Sequence, residues 1–409
     1  VTKVKDGHTV ENTATQVTND KRDKTNTVTN PLKEINPKKD VTVKVGGDSV
    51  DGRSVYLDST FLYQLDSSTL PADRAYQKIA NWGITDQLDP AYDKATGQWA
   101  VYAARDLYRG GEAIAKKGER IAGSGFDSSR LGGDMFTANI DPSTGLVDIQ
   151  ATQAYLDLVS ADDAHEQGWR AYVQVTRVKV TDRHENVFTE HVNGKDLTSN
   201  IVWTRTPDLT PGIKLEKWDR RSGWPKGDRD DSKDALDGAR DGDVIVFTIT
   251  NTSKDEDGHG AWFKASDLKL EDHTIVGDGE VKDLKYPDNW STLVLKPGQS
   301  VEVTGTLTGF TKDRHTDRAK VTGTPLVECP VVDKDPFGDA SGKPSTGGEA
   351  GDGDGPRQVT VGDRTLCEDT PVESNTDDWN GRRSLLGETG SAILPLGVGA
   401  LLMAGLGAA

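Results

Sequence analysis

The chain has 409 residues with 44 Gly, 17 Pro and 34% hydrophobic content, and so much turn and linker excludes one large enzyme core. Its 49 Lys and Arg against 66 Asp and Glu leave a formal charge of −17, whose field repels phosphate backbones and excludes nucleic acid as a partner. Two cysteines permit one bridge in an oxidising compartment, but neither a Cys-rich zinc site nor a disulfide framework.

Val1 opens the chain with neither an initiator Met nor an apolar leader, which reads as a fragment or a mature form. From there the periodicity is that of strands. VTVKV (41–45), AYVQVTRVKV (171–180), VIVFTIT (244–250) and VEVTGTL (301–307) alternate β-branched residues between Gly, Asp, Asn and Pro turns, predicting a mostly antiparallel β protein. Short helices are expected only over 73–80 and 151–158. Three segments share a punctuation of Asn or Asp, a short alternating strand and a closing Pro: TNTVTNP (25–31), SNIVWTRTP (199–207) and TDRAKVTGTP (316–325). Each is read as the end of a domain. The expected organisation is therefore the tail of an earlier repeat over 1–30, a β-sandwich over 31–207 and an immunoglobulin-like β-sandwich over 208–330.

Side chains alternate faces with period two, so Lys39 shares its face with Val41, Val43 and Val45 and points inward. By the same count Asp86 lies with Ile84 and Leu88, and Asn200 with Val202. In the next unit Lys217 is in phase with Ile213 and Leu215, Asp272 with Leu268 and Leu270, and Asp317 with Ala319 and Val321. Buried ionisable groups cost several kcal/mol each unless paired or neutralised, so their recurrence at first, middle and last strands asks for a reason. Burial lowers a Lys pKa and raises an Asp pKa, which favours a neutral amine beside a protonated carboxyl. Such an amine attacks a carboxamide carbon while the acid hydrogen-bonds the carbonyl oxygen, and the product is an intramolecular isopeptide bond. In unit 1 the amine would be Lys39, the acid Asp86 and the acceptor Asn200. The competing reading is a Lys–Asp ion pair buried for register, or a Lys stem on the core with its head in water.

The segments PKKDV, SVDGRSVYLDSTFLYQLDSSTLP, WGITDQLDP and VNGKDLTSNIVWTRTP, in that order over 31–207, resemble the isopeptide-forming domains of antigen I/II-type adhesins. The resemblance implies the same roles for Lys39, Asp86 and Asn200, with Lys33 or Lys38 as the amine if the first strand carries a bulge. Residues 208–330, with VIVFTITNTS and AKVTGTP, look like a DUF11-type immunoglobulin-like repeat. There Asp317 stands where such a repeat has Asn, so a Lys217–Asp317 bond would release water, with Asp272 as its acid.

Other chemistry is sparse. HENVFTEH lacks the H-E-x-x-H spacing of a zinc helix, and there is neither a G-x-S-x-G elbow nor a P-loop. No cofactor is expected, except that Asp228, Asp230, Asp231 and Asp234 in GDRDDSKD offer the hard oxygens calcium takes, in the alternative to a solvated acidic turn. Residues 331–384, rich in Gly, Asp, Pro and Ser, read as an extended acidic spacer. Cys329 and Cys367 flank its Gly-rich part, and a bridge there would contribute on the order of 3–4 kcal/mol.

Residues 391–409, SAILPLGVGALLMAGLGAA, are uncharged and, at ~1.5 Å per residue, roughly 28 Å long, near a bilayer's hydrocarbon thickness. LGETG stands just before them. Leu386, Gly387, Glu388, Thr389 and Gly390 resemble the L-x-x-T-G sorting signal of Gram-positive surface proteins, with Gly387 where the commonest signal has Pro. That resemblance implies an exported protein held briefly in the membrane, then joined through Thr389 to peptidoglycan by a sortase; the missing Pro shifts the sortase class, an Ala at this position being typical of actinobacterial enzymes. Two functions remain: a wall-anchored adhesin or stalk for an unidentified protein or glycan ligand, with residues 99–136 as a candidate binding face, or the tether of a secreted enzyme.

Overall fold

A computed structural model describes residues 9–31, 35–74, 78–338 and 356–384. The chain divides into two compact units, one of residues 1–208 and 328–357 and one of 209–327 and 358–409.

Unit 1 opens with an exposed hairpin of β1 (Thr9–Thr18) and β2 (Lys21–Pro31). Then follow β3 (Lys38–Thr42), β4 (Thr60–Asp66), β5 (Trp82–Gln87), β6 (Asp93–Ala103), β7 (Leu107–Arg109), β8 (Glu112–Ala115), β9 (Arg120–Gly123), β10 (Phe136–Asp141), β11 (Leu146–Ala151), α1 (Gln153–Ala161), β12 (Trp169–Arg177), β13 (Thr181–Asn186), β14 (Phe188–Val192), β15 (Lys195–Thr198) and β16 (Val202–Thr206). One sheet has the order β3-β4-β12-β6-β9 and the other β10-β11-β5-β14-β15, every pairing antiparallel. Their inner faces enclose a core that includes Phe61, Tyr63, Trp82, Val101, Phe136, Val147 and Trp169. Alternation in the sequence placed these faces, because period-two apolar residues can be buried only on one side of a pleat.

Unit 2 contains β17 (Ile213–Asp219), β18 (Leu236–Asp237), β19 (Val244–Asn251), β20 (Phe263–Lys264), β21 (Lys269–Gly277), β22 (Glu280–Lys285), β23 (Val294–Leu295), β24 (Ser300–Thr308), β25 (Arg314–Gly323), β26 (Leu326–Val327), β27 (Gln358–Val361), β28 (Arg364–Glu368), β29 (Val372–Glu373) and β30 (Asp377–Arg382). Sheet β17-β19-β24-β22 lies on one side of its core and sheet β18-β30-β25-β21 on the other.

Four expectations need correction. Residues 358–382 are not spacer: they form four strands, β30 pairs with β25, and its Trp379 is fully buried in the unit 2 core. The Gly- and Asp-rich run of 339–355, which lies outside the described residues, masked the alternation of the strands after it. Residues 331–338 are ordered on unit 1, where Thr60 donates to the Val331 carbonyl at 2.8 Å and Phe337 packs with Leu62, Ala100, Tyr102 and Tyr172. The strand holding TDRAKV is therefore central in its sheet rather than the end of the domain, since the chain returns to pair beside it.

The helix expected over 151–158 is present as α1, capped by Thr152 and burying Tyr155, Leu156 and Val159. Over 73–80 the described residues hold no helix, and Asp73 takes a left-handed φ of 52°. The segment 385–409, with the whole LGETG motif, lies outside the described residues. Among the described residues no helix is long and apolar enough to cross a membrane.

Candidate functional site

The first site spans the two sheets of unit 1. Lys39 stands on the edge strand β3, inside the pleat as its parity predicts, while Lys38 faces out. Asp86 stands on β5, the middle strand of the opposite sheet, flanked in register by Val147 of β11 and Phe188 of β14. The Lys39 ammonium crosses the core to Asp86 Oδ2, with the two side chains 0% and 1% exposed. Its walls are aromatic: the Tyr63 ring centre lies 4.4 Å from Nζ and the Phe188 ring centre 5.7 Å. Burial pushes the Lys39 amine down against the pull of Asp86, and burial pushes the Asp86 carboxyl up against the pull of Lys39. Both shifts move the pair toward its neutral form.

Asn200 is not at the amine. It is exposed, and its side chain is engaged with the Lys39 main chain: Oδ1 accepts from the Lys39 N–H at 2.8 Å and Nδ2 donates to the Lys39 carbonyl at 2.9 Å. Its carboxamide pairs with the edge strand as another strand would. The inward parity failed because residues 199–201 are irregular and β16 starts only at Val202.

The carboxamide beside Asp86 is that of Asn186, at the end of β13. Asn186 is 7% exposed, its amide opposes in small part the rise that burial imposes on Asp86 without making a hydrogen bond to it, and its Nδ2 is buried with no hydrogen-bond partner. Asp86 Oδ1 is likewise buried and unpartnered. Asn186 shares parity with Phe188 and Val192 in HENVFTEHV, and that signal was legible; the inward Glu190 in the same phase obscured it. Glu190 is itself held by the Ser68 N–H at 2.9 Å and the Trp82 indole N–H at 2.7 Å.

Sequence reasoning also missed a second buried network. Arg177 Nε donates to Asp93 Oδ1 at 2.6 Å and its Nη atoms to the Thr206 and Thr204 hydroxyls at 2.7 and 2.6 Å, while Tyr63 donates to Asp93 Oδ2 at 2.6 Å. The ring that walls Lys39 is thus fixed by a fully satisfied ion pair.

In unit 2 the three residues chosen by parity do converge. Lys217 on β17 is fully buried, with Nζ 2.5 Å from Asp272 Oδ1 on β21 and 2.7 Å from Asp317 Oδ1 on β25. The Phe247 ring centre lies 5.2 Å from the ammonium. Burial, with Asp317 nearby, pushes Asp272 up to about 7; Asp317, though burial opposes it, is held below the usual carboxylate range by Lys217 and His315. The nearby Asn380 is not an acceptor, because its carboxamide bonds the Thr316 hydroxyl at 2.6 Å and the Arg229 carbonyl at 2.6 Å.

The edge-strand clamp recurs here. Asn375 Oδ1 accepts from the Leu215 N–H at 3.0 Å and its Nδ2 donates to the Leu215 carbonyl at 2.9 Å. In both units a Ser precedes the clamp: Ser199 Oγ bonds the Phe188 N–H at 3.1 Å and Ser374 Oγ the Val321 N–H at 2.9 Å.

Of the four acidic residues singled out for calcium, Asp228 and Asp230 come together with Asp377, all within 4.8 Å. Burial and the Asp230 carboxylate push Asp228 up to about 6 and Asp377 up to about 8. Asp231 instead caps the turn at 232–234, accepting from the Lys233 N–H at 3.0 Å, and Asp234 lies within that turn. Cys329 and Cys367 are disulfide-bonded. Of the aromatic residues in 99–136, Phe136 is buried in the core and Trp99 and Phe126 pack against it, while the half-buried Tyr108 stacks on His165.

Parts of the chain are similar to known proteins. Residues 36–207 match the family described as Cell surface antigen C-terminus. Residues 1–32 match the Cell surface antigen I/II C2 terminal domain. A protein named Aggregation substance from Enterococcus faecalis is 35% identical over 204 residues, which are 49% of this chain and 14% of that protein. The C-terminal domain of the Streptococcus pyogenes antigen I/II-family protein AspA is 26% identical, with a TM-score of 0.43, over 49% of this chain and 55% of that one. The Streptococcus agalactiae BspA C-terminal domain is 22% identical, with a TM-score of 0.42, over 49% and 59%. The chain thus spans a small part of the curated relative and just over half of these solved chains. The matching families are surface antigens rather than enzymes.

Proposed function

We propose that this chain is part of a wall-anchored surface adhesin or stalk whose two β-sandwiches are each closed by a self-formed isopeptide bond. The observation that carries the reading is a buried, aromatic-walled Lys–Asp pair bridging opposite sheets, present in both units. An ion pair retained for stability alone is a weak design, since an apolar pair of like volume would serve as well.

In unit 1 Asp86 takes a proton from the Lys39 ammonium, and the amine attacks Cγ of Asn186. The protonated Asp86 hydrogen-bonds the carbonyl oxygen as charge develops there, then passes its proton to Nδ2. The Nζ–Cγ bond forms, the Cγ–Nδ2 bond breaks and ammonia leaves, while Asp86 takes up the second proton that Nζ sheds and ends protonated. In unit 2 Lys217 joins Asp317 with loss of water, Asp272 serving as the proton carrier. Export, cleavage within LGETG by a sortase and linkage of Thr389 to peptidoglycan complete the reading. Force applied along the chain would then load covalent bonds between first and late strands rather than hydrogen-bonded edges.

Intact-mass spectrometry of the full chain tests it: the expected deficit is one ammonia plus one water beyond the disulfide, with tryptic branches joining Lys39 to Asn186 and Lys217 to Asp317. A mass short of neither leaves two buried ion pairs and overturns the reading. Wall attachment is tested separately by release with muralytic enzyme; full extraction by detergent alone of protein still carrying Ala409 would refute it.

A further inference from the structure

The unit 2 site contains a fourth ionisable group that unit 1 lacks. His315 on β25 is fully buried, two residues from Asp317 and therefore on the same face of the strand. Its Nδ1 lies 2.7 Å from the Asp278 carbonyl oxygen, an acceptor only, so Nδ1 carries a hydrogen. Nε2 is turned toward the reaction, 3.4 Å from Asp317 Oδ2, and has no other partner. Lys217 approaches the other oxygen, Oδ1. The carboxyl is thus held between an amine on one oxygen and an imidazole on the other. The rings of Phe310 and Trp379, centred 5.7 and 6.0 Å away, pack the imidazole from the neighbouring loop and from β30. The charged groups about it are Asp317 on its own strand, Lys217 from β17 and Asp272 beyond them on β21.

We infer that His315 is the general acid of the unit 2 condensation, delivering a proton from Nε2 to Asp317 Oδ2 so that this oxygen departs as water. The inference rests on the Lys217–Asp317 bond proposed above. Chemistry supplies the reason for the difference between units. Ammonia leaves a carboxamide with nitrogen as the protonated atom, whereas a carboxylate oxygen leaves only after gaining two protons.

The balance is closed within the site. Lys217 begins as an ammonium, Asp272 and Asp317 as carboxylates and His315 as an imidazolium. Nζ–Cγ forms and Cγ–Oδ2 breaks. Of the three ammonium protons one stays on the amide nitrogen, one rests on Asp272 and one reaches Oδ2 through Asp272; the His315 proton joins it there. The products are the amide, water, a protonated Asp272 and a neutral His315, so no net charge is left buried.

The test uses the full chain made by cell-free synthesis at a series of pH values, quenched at intervals and weighed. Wild type should lose one water in unit 2 at a rate that falls as pH rises through the imidazole's titration. His315→Asn, which retains a donor at the Nδ1 position, and His315→Gln, which places an amide at Nε2, should both lose that falling limb and react on the order of 10²-fold more slowly. The ammonia loss in unit 1 should be unchanged in the same samples, which separates a chemical effect from failed synthesis. The inference is overturned if either variant loses water at the wild-type rate, or if the falling limb persists in both. A variant that fails to fold is replaced by the other, and the wild-type pH profile alone still decides: a flat profile refutes the role. Wild type that never loses water removes the parent bond itself, a result distinct from a His315 variant that reacts normally.

Discussion

In unit 1 the buried lysine meets a single buried carboxyl that has a carboxamide beside it, whereas in unit 2 it meets two carboxyls, one of them with an imidazole behind it. The frames are alike. In each, the lysine stands on an edge strand clamped by a Ser-Asn pair, its head lies against an aromatic ring, and a carboxyl waits on the opposite sheet. On the proposed reading, the difference teaches that the scaffold would set where a bond forms and the electrophile what assistance it needs.

The largest effect should come from removing the acids. Asp86→Ala should restore the full unit 1 mass and leave the unit 2 deficit untouched, with Asp272→Ala doing the reverse. Opening the loop from residue 39 to 186 forfeits about 5 kcal/mol of restriction on the unfolded chain, a fall of roughly 10–20 °C for a domain of this size by calorimetry. Equal melting with and without the bond would break the comparison.

Reduction should be smaller in effect and should touch neither bond. Native protein should titrate with no free thiol; after reduction the disulfide's contribution of on the order of 3–4 kcal/mol is lost, while both mass deficits persist. Two reactive thiols without reductant would contradict the bridge.

A sharper contrast lies between two asparagines. Asn186→Ala should abolish ammonia loss. Asn200→Ala should leave it intact and cost about 1–3 kcal/mol for two edge-strand hydrogen bonds, as should Asn375→Ala in unit 2. An intact bond in the Asn186 variant would return Asn200 to consideration.

The smallest effect is a pH slope in unit 2. Asp228 is raised to about 6 and Asp377 to about 8. The folded unit therefore keeps protons that the unfolded chain has released, so its stability falls as pH rises from the ordinary carboxylate range toward 8. Its melting temperature should drop by a few degrees between pH 5 and 8, and Asp230→Asn should flatten that slope. An undiminished slope in the Asp230→Asn variant would show that it has another origin.

Much of this was legible in the chain. Period-two alternation determined the strands and the inward direction of Lys39, Asp86, Lys217, Asp272 and Asp317, because a pleat leaves a side chain only two choices. Buried lysines and aspartates in phase with apolar neighbours marked the two sites on which the proposed chemistry rests. Parity says nothing about irregular backbone, so it misdirected Asn200, whose segment turns before β16 begins. Neither does it say which inward residues of distant strands meet. The pairing of β14 with β5 brings Phe188 opposite Asp86 and Asn186 beside it, and the return of β30 against β25 turns a stretch of acidic, Gly-rich composition into core. Those are contacts between residues far apart in sequence, fixed by the cooperative packing of whole sheets, and only the tertiary structure decides them.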